Sequence, residues 1–310
     1  MRILYCTMGR NTRVAGHFNY FQNELSKYCE LKIISHEPKG HPADFINSIV
    51  KDEITLPRII EKELISNDYD FIFTDALFCY LNERWDRFDT PFGMLLEDQH
   101  RVIPKIQVDF AVKHGFIIFN RYKLNKFHKD LTNTSWLPHC VNTDMFKDYG
   151  LTKKYKVLQT GAIWRVYKLR NFLKEKLKNE SFYTYIKRPK ETDKVKWPIK
   201  DDYAKVLNKS IFNIACGSEF QYPVQKFFEI PACNSILYSD YFSELKDLGF
   251  IPNINMIECN QLDPIGQLDK LLKSPDTLKE LQINGLKLIK EKHTVEIRVQ
   301  EFLENIMTLI

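Results

Sequence analysis

A lysine and a glutamate three residues apart, Lys226 and Glu229, could together form a ligand-binding site. They belong to a predicted short helix that begins with Pro223, after a β-branched and apolar run at 211–215 that is typical of a buried strand. In open α/β sheets, ligands bind beyond the carboxyl ends of the strands, where a helix N-terminus offers amide donors to a phosphate. The two charged groups are therefore candidates for ligand binding. The alternative interpretation is that both form a solvated helix face.

The spacing of apolar residues assigns faces to this helix. One face is formed by Val224, Phe227, Phe228 and Pro231. Gln225 and Glu229 fall together on another face, so we expect the Glu229 carboxylate to lie off the apolar side. Asn234 tolerates the left-handed conformation that ends helices, and residues 236–238 read as the next buried strand.

A second group of charged residues follows a glycine. Residues 156–161 predict a strand that ends at Gly161, and residues 162–170 open the next helix. Glycine allows a ligand to approach the backbone closely, and nearby cations complement a diphosphate. These cations are Arg165, Lys168 and Arg170. A basic amphipathic helix with solvated charges is the alternative.

The loop at 97–101 places a histidine beside carboxylates, directly after a predicted strand at 92–96. His100 could accept a proton or orient a hydroxyl, because the unperturbed pKa of histidine lies near neutrality. In the alternative interpretation, Asp98 caps the following helix and His100 is an exposed surface residue.

Alternating strands and helices would position these groups. The first half predicts strands at 2–7, 31–35, 70–74, 92–96, 116–119 and 135–138, with helices at 14–28 and 123–131. Strand, helix and strand at this spacing form a βαβ unit. The C-terminal residues 268–310 predict helical runs interrupted at Gly285.

Composition limits the class of protein. A chain of 310 residues suits two domains, and 44% hydrophobic with 27% charged residues excludes a largely disordered chain. The net charge of +5 permits an anionic partner without requiring one. The seven cysteines form no C-x-x-C pair and no metal-ligand spacing with histidine. With no apolar stretch long enough to cross a bilayer and no signal peptide, we expect a cytoplasmic protein without integral membrane contact.

Residues 226–234, Lys-Phe-Phe-Glu-Ile-Pro-Ala-Cys-Asn, resemble the donor-binding motif of group 1 glycosyltransferases of GT-B fold. The order of basic residue, any residue, Phe, Glu and small-residue turn is most similar to the spore-maturation-protein (CgeB-type) branch. Residues 137–146, 203–210 and 293–299 also resemble the family, in the expected order. Tyr167 and Arg170 match the Tyr-x-x-Arg of that branch.

This resemblance implies an α/β protein of GT-B fold, in which two Rossmann-like parallel-sheet domains face each other across a cleft. The implied parts are an N-terminal acceptor-side domain at 1–145 and a nucleotide-sugar donor domain at 146–294. A C-terminal helix at 295–310 would pack back on the N-terminal domain.

The resemblance also implies residue roles. The donor-binding positions are Gly161, Arg165, Tyr167, Arg170, Gln221, Lys226 and Glu229, and the catalytic positions are Asp98 and His100. Glu229 would bind the ribose hydroxyls, and Lys226, Arg165 and Arg170 would bind the diphosphate. Two positions depart from the family: Gln221 stands where the wider group has the first glutamate of an E-x7-E motif, and Asn234 replaces the turn glycine.

The expected activity is that of a hexosyltransferase-like enzyme, which moves a sugar from a nucleotide sugar to an acceptor hydroxyl. A UDP-sugar is the expected co-substrate, and no other cofactor and no metal ion are expected, since no Asp-x-Asp motif stands at a suitable strand end. The acceptor could be a glycan, a small molecule or modified DNA. One alternative is a phage-type DNA base glycosyltransferase, which the lysine-rich second domain would suit. Another is a catalytically inactive nucleotide- or polyanion-binding GT-B module, which the two departures would suit.

Overall fold

The computed structural model describes residues 1–7, 17–35, 63–75, 89–97, 102–123, 131–161, 163–187 and 201–309. The chain divides into two compact units. The first comprises Met1–Asn11, Phe18–Pro138 and Val299–Ile310, and the second comprises Thr12–His17 and His139–Arg298.

The first unit contains a sheet of parallel strands. These are β1 (Arg2–Thr7), β2 (Glu30–Ser35), β3 (Phe71–Thr74), β4 (Phe92–Leu96), β5 (Ile117–Asn120) and β6 (Thr134–Trp136). Their order is β2-β1-β3-β4-β5-β6, and every neighbouring pair is parallel. Helix α2 (Val102–Lys113) and all of helix α1 (His17–Leu25) except His17 belong to the same unit. All residues of β3, β4 and β5 are buried, and apart from Thr74 and Asn120 at their carboxyl ends these strands are without polar side chains, so they could be located from the sequence.

Aromatic rings form part of the core of this unit. The ring of Phe302 lies with its centroid 4.7 Å from that of Phe73 and 5.0 Å from that of Phe119. Gly93, within β4, leaves room for such rings, because a Cβ atom there would lie 2.5 Å from Cζ of Phe71. A larger residue at this position would displace the aromatic core.

The second unit contains another parallel sheet. Its strands are β7 (Tyr155–Thr160), β8 (Tyr183–Ile186), β9 (Ser210–Ile214), β10 (Ile236–Ser239) and β11 (Ile257–Glu258), in the order β11-β10-β9-β7-β8. The helices are α3 (Lys168–Leu177), α4 (Asp201–Asn208), α5 (Lys226–Ala232), α6 (Ser243–Asp247), α7 (Pro264–Leu272) and α8 (Pro275–Lys292). The last helix, α9 (Val295–Leu309), begins in this unit, and its residues from Val299 onward group with the first.

The strand order of the second sheet creates a topological switch point. The chain passes from β7 to β8 on one side and then places β9 on the other side of β7. The crossovers after β7 and β9 therefore diverge, and the carboxyl ends of these two strands flank a crevice. In open α/β sheets this is where ligands bind.

Three details of the sequence interpretation are wrong. Helix α5 begins at Lys226, so Pro223 precedes the helix and does not lie in its first turn. Helix α3 begins at Lys168, so residues 163–167 form a turn before it. Helix α8 runs through Gly285 without interruption. The glycine instead allows the helix to approach its neighbours closely, because a Cβ atom there would lie 3.3 Å from Cβ of Pro231 and 3.1 Å from the Asn255 carbonyl oxygen.

Within the described ranges, no helix combines the length and the apolar composition needed to span a membrane. Nor does this part of the chain contain a group of three His, Cys, Asp or Glu residues placed to hold a metal ion. The predicted helix at 123–131 lies mostly outside the described residues.

Candidate anion-binding site

The site is built around Gly161, which directly follows β7. Its φ angle of +92° is one that glycine adopts without strain and that other residues rarely adopt. A Cβ atom at this position would lie 3.2 Å from Nζ of Lys226 and 3.3 Å from Nη2 of Arg170. The bare backbone of Gly161 therefore lies between two cations, at the switch point of the second sheet.

Both cations donate to one backbone carbonyl. Nζ of Lys226 donates to the carbonyl oxygen of Thr160 over 2.7 Å and to its Oγ1 over 2.9 Å. Nη2 of Arg170 donates to the same carbonyl oxygen. Among the residues that the structure describes, neither cation forms an ion pair with a carboxylate, and Nε of Arg170 is buried without a hydrogen-bond partner. Two positive charges that share one neutral acceptor leave an excess of charge that suits an anion.

The Lys226 residue is half-buried, and the buried part includes its ammonium group. Burial, followed by repulsion from Arg170, lowers the pKa of Lys226 to about 7, and attraction from Glu229 opposes this shift. The side chain can therefore be cationic or neutral near neutral pH. An anion bound between Lys226 and Arg170 would favour the cationic form.

Glu229 lies one turn after Lys226 in α5 and is only 3% exposed. The alternative interpretation, that Glu229 lies on a solvated helix face, is therefore wrong. Residues Phe227 to Ala232 are all buried, because this short helix is covered on more than one side. Burial raises the pKa of Glu229 to about 7, and Lys226 opposes the rise. No hydrogen bond from a described residue satisfies its carboxylate, so a ligand hydroxyl could do so.

Thr160 and Tyr203 were not anticipated as site residues. Both are 3% exposed, and the Tyr203 hydroxyl lies 3.5 Å from Oγ1 of Thr160. Nζ of Lys226 lies 6.0 Å from the centroid of the Tyr203 ring. Thr160 thus orients Lys226, and the only sequence signal for it is its position at the end of a strand, before Gly161.

The other predicted donor-binding residues differ in their exposure and in their contacts. The ring of Tyr167 lies 5.1 Å from the guanidinium carbon of Arg170 and so belongs to the site. Arg165 is exposed and forms no hydrogen bond or ion pair with a described residue. Gln221 is exposed and has a φ angle of +59°. Lys168 pairs with Glu219 over 3.5 Å at the surface.

The catalytic candidates Asp98 and His100 lie outside the described residues. Their roles stay predictions.

Asn234, which replaces the turn glycine of the family, forms a side-chain hydrogen bond that glycine cannot form. Its φ angle is +51°, as expected for a residue that ends a helix in the left-handed conformation. Its Nδ2 donates to Oδ2 of Asp148 over 2.7 Å, and its carbonyl oxygen accepts from Nζ of Lys153 over 2.7 Å. A glycine would keep the turn and lose the first of these bonds, so this departure does not argue against a functional site.

We expect Asn234→Gly to lower the free energy of unfolding by about 1 kcal/mol, because one charge-assisted hydrogen bond is lost. Ligand affinity should stay within a factor of two. Asn253→Gly is the matched control, since Asn253 also has a positive φ angle, +62°, and its side chain forms no hydrogen bond with a described residue. Urea denaturation of both variants measures the difference, and equal stabilities would contradict the role given to the Asp148 contact.

Comparison with known proteins identifies relatives of this fold. Residues 167–304 match a family model described as glycosyl transferase-like. The search of curated protein sequences found no match.

Solved structures of similar fold span the whole chain. HepE of Anabaena, in complex with UDP and glucose, is 8% identical with a TM-score of 0.63, over 99% of this chain and 100% of that one. Sucrose-phosphate synthase of Thermosynechococcus elongatus is 10% identical with a TM-score of 0.69, over 100% and 99%. A glycosyltransferase of Rickettsia africae is 10% identical with a TM-score of 0.64, over 99% and 98%. The protein therefore has the GT-B fold, and the segment that holds Tyr167, Arg170, Lys226 and Glu229 matches a glycosyl transferase-like family.

Proposed function

We propose that this protein is a glycosyltransferase that binds a nucleotide-sugar donor at Gly161 and transfers the sugar to an acceptor hydroxyl. The observation that carries the proposal is the convergence of Lys226 and Arg170 on the Gly161 backbone, with the buried Glu229 one helical turn from Lys226. A diphosphate would bind between the Lys226 and Arg170 side chains. The match of residues 167–304 to a glycosyl transferase-like family supports this assignment.

Each side chain then has a part in donor binding. Lys226 and Arg170 bind the diphosphate, the Glu229 carboxylate accepts hydrogen bonds from the ribose hydroxyls, and the exposed Arg165 adds a cation that is free to reach the ligand. UDP is the expected nucleotide, and HepE, a structure of similar fold, has been solved with UDP-glucose. We further infer a hexosyltransferase similar to the CgeB-type branch, which the Tyr-x-x-Arg spacing of Tyr167 and Arg170 supports.

In the reaction, the acceptor oxygen forms a bond to the anomeric carbon while the bond from that carbon to the diphosphate oxygen breaks. The departing diphosphate gains negative charge, which two fixed cations stabilise in the transition state. We expect no metal ion to be required for this reason. The proton leaves the acceptor hydroxyl, and His100 beside Asp98 is the proposed group to take it up.

A thermal-shift screen tests the proposal directly. UDP, GDP, ADP and TDP sugars are each added to the full chain, and a ligand at a hundred times its dissociation constant should stabilise the fold by about 2.7 kcal/mol. Release of the nucleoside diphosphate is then followed with glycans, small hydroxylated molecules and modified DNA as acceptors. Stabilisation without any turnover would identify a binding module, and no stabilisation by any donor would contradict the proposal.

The affinity for UDP-glucose should depend on pH. The diphosphate of a nucleotide sugar does not titrate between pH 6 and 9, whereas Lys226, with a pKa of about 7 in the free protein, does. Since the ligand favours protonated Lys226, binding takes up a proton, and affinity should fall as pH rises above about 7, by at most about tenfold per pH unit. Titration calorimetry measures this slope. Lys226→Met should remove it, and an unchanged slope in that variant would assign the titration to another group.

A further inference from the structure

Trp164 presents an exposed aromatic ring next to the candidate site. Its side chain is 62% exposed, in the turn that joins Gly161 to α3. The ring stacks on Tyr167, with centroids 6.3 Å apart and an interplanar angle of 26°. Tyr167 in turn contacts the guanidinium group of Arg170. Trp164, Tyr167 and Arg170 form a continuous stack, which we call the ring stack, with an exposed indole at one end and a site cation at the other.

Hydrogen bonds hold the turn that carries this ring. The carbonyl oxygen of Trp164 accepts from the backbone N–H of Tyr167 over 2.9 Å and from Nδ2 of Asn171 over 2.8 Å. The carbonyl oxygen of Val166 accepts from the backbone N–H of Glu219 over 2.9 Å. An indole that is held in this way and stacked on one side differs from an isolated surface residue such as Leu262, which is 98% exposed. A fixed, amphipathic ring with one open face is suited to binding a ligand at small entropic cost.

The position of the ring relative to the cations indicates which part of a ligand it could meet. Trp164 is three positions after Gly161, so their Cα atoms are at most about 11 Å apart. In the proposed donor orientation, the ribose lies at α5, which holds Lys226 and Glu229. The ring stack contacts Arg170, which lies on a different helix. With the ribose at α5, the sugar-bearing phosphate would lie towards Arg170 and its ring stack.

We propose that Trp164 is a specificity-determining residue on which the transferred sugar of the donor stacks, as a pyranose ring. This rests on the proposed function, because it requires a diphosphate at Gly161. The C–H groups on one face of a pyranose are apolar and carry partial positive charge, which complements the negative face of an aromatic ring. Trp164 would then contact the sugar and help to select it, and would have no contact with the nucleoside diphosphate.

Two ligands and two variants test this proposal. Affinities for UDP-glucose and for UDP are measured by calorimetry on the parent, on Trp164→Ala and on Trp164→Phe. We expect Trp164→Ala to weaken the binding of UDP-glucose by about threefold to tenfold and that of UDP by less than twofold, since stacking on an aromatic ring contributes up to about 1.5 kcal/mol. Trp164→Phe keeps an aromatic face and should recover most of the affinity.

Leu262→Ala is the control for removal of an exposed apolar side chain and should change neither affinity. Equal weakening of both ligands by Trp164→Ala, or no weakening of UDP-glucose, would overturn the proposal while leaving the diphosphate site intact. A parent protein that binds neither ligand would overturn the proposed function for UDP-sugars and this inference with it.

Discussion

Lys226→Met should weaken the binding of UDP by about tenfold to a hundredfold, because hydrogen bonds to charged groups contribute about 1.5–3 kcal/mol. Methionine keeps a similar length and an apolar stem, so the loss reports the ammonium group and not the packing around it. The nucleoside uridine, which has no phosphate, should bind both proteins with affinities that agree within about twofold. Calorimetric titration of both ligands on both proteins measures the difference.

Lys168→Met is the matched control for this substitution. Lys168 is a cation of the same unit, but it is exposed and paired with Glu219, so its removal should leave UDP affinity nearly unchanged. Lys168→Met should melt at the temperature of the parent, and Lys226→Met at that temperature or above it, because burial disfavours the ammonium group and Arg170 continues to donate to the Thr160 carbonyl. An equal loss of uridine and UDP affinity in Lys226→Met would argue against a phosphate at this position.

Glu229→Gln should stabilise the fold at neutral and alkaline pH. Burial raises the pKa of Glu229 to about 7, so between about pH 4.5 and 7 the folded state binds a proton that the unfolded chain has released. The free energy of unfolding therefore falls as pH rises through this window, by about 3 kcal/mol in total. Glutamine does not titrate, so the variant should lack this fall and gain stability relative to the parent between pH 5 and pH 7.5. Urea denaturation at these two values measures the effect.

The same variant should bind UDP-glucose about tenfold more weakly, since an amide replaces the carboxylate that is proposed to accept hydrogen bonds from the ribose hydroxyls. Higher stability with lower affinity is the expected signature of a residue retained for binding at a cost in stability. Glu258→Gln, at an exposed carboxylate of the same unit, should change neither property. If the stability difference between Glu229→Gln and the parent were independent of pH, the buried carboxylate would not be the group that titrates.

The sequence alone located most of the described parallel strands to within two residues, but β8 and β11 were not predicted. Strand β8 is only half-buried and lies in a lysine-rich segment, and β11 has two residues, so neither gives a clear apolar signal. Buried strands such as β3 and β5 are apolar on both faces, so their composition is a local signal that requires no knowledge of the fold. The alternation of these strands with helices then indicated two α/β domains. The resemblance of residues 226–234 to a donor-binding motif led to the GT-B fold, which the structure and its neighbours confirm.

The environment of Glu229 could not be predicted in the same way. Helical periodicity assigned it to a face different from that of Phe227 and Phe228, and this assignment says nothing about what covers that face. In the fold, α5 is a seven-residue helix that follows β9 and packs against α8, where Gly285 allows a close approach to Pro231. A short helix enclosed by a sheet and another helix buries its polar positions along with its apolar ones.

The convergence of the site was decided only by tertiary structure. Lys226 follows Thr160 by 66 residues, and no local pattern connects the two. They meet because β9 pairs with β7 in parallel, which brings the carboxyl ends of both strands, and the residues that follow them, to one edge of the sheet. The sequence determines which side chains follow each strand, because residues are linked covalently in that order. Strand order determines which of them become neighbours, because it depends on how the crossover helices pack on the finished sheet.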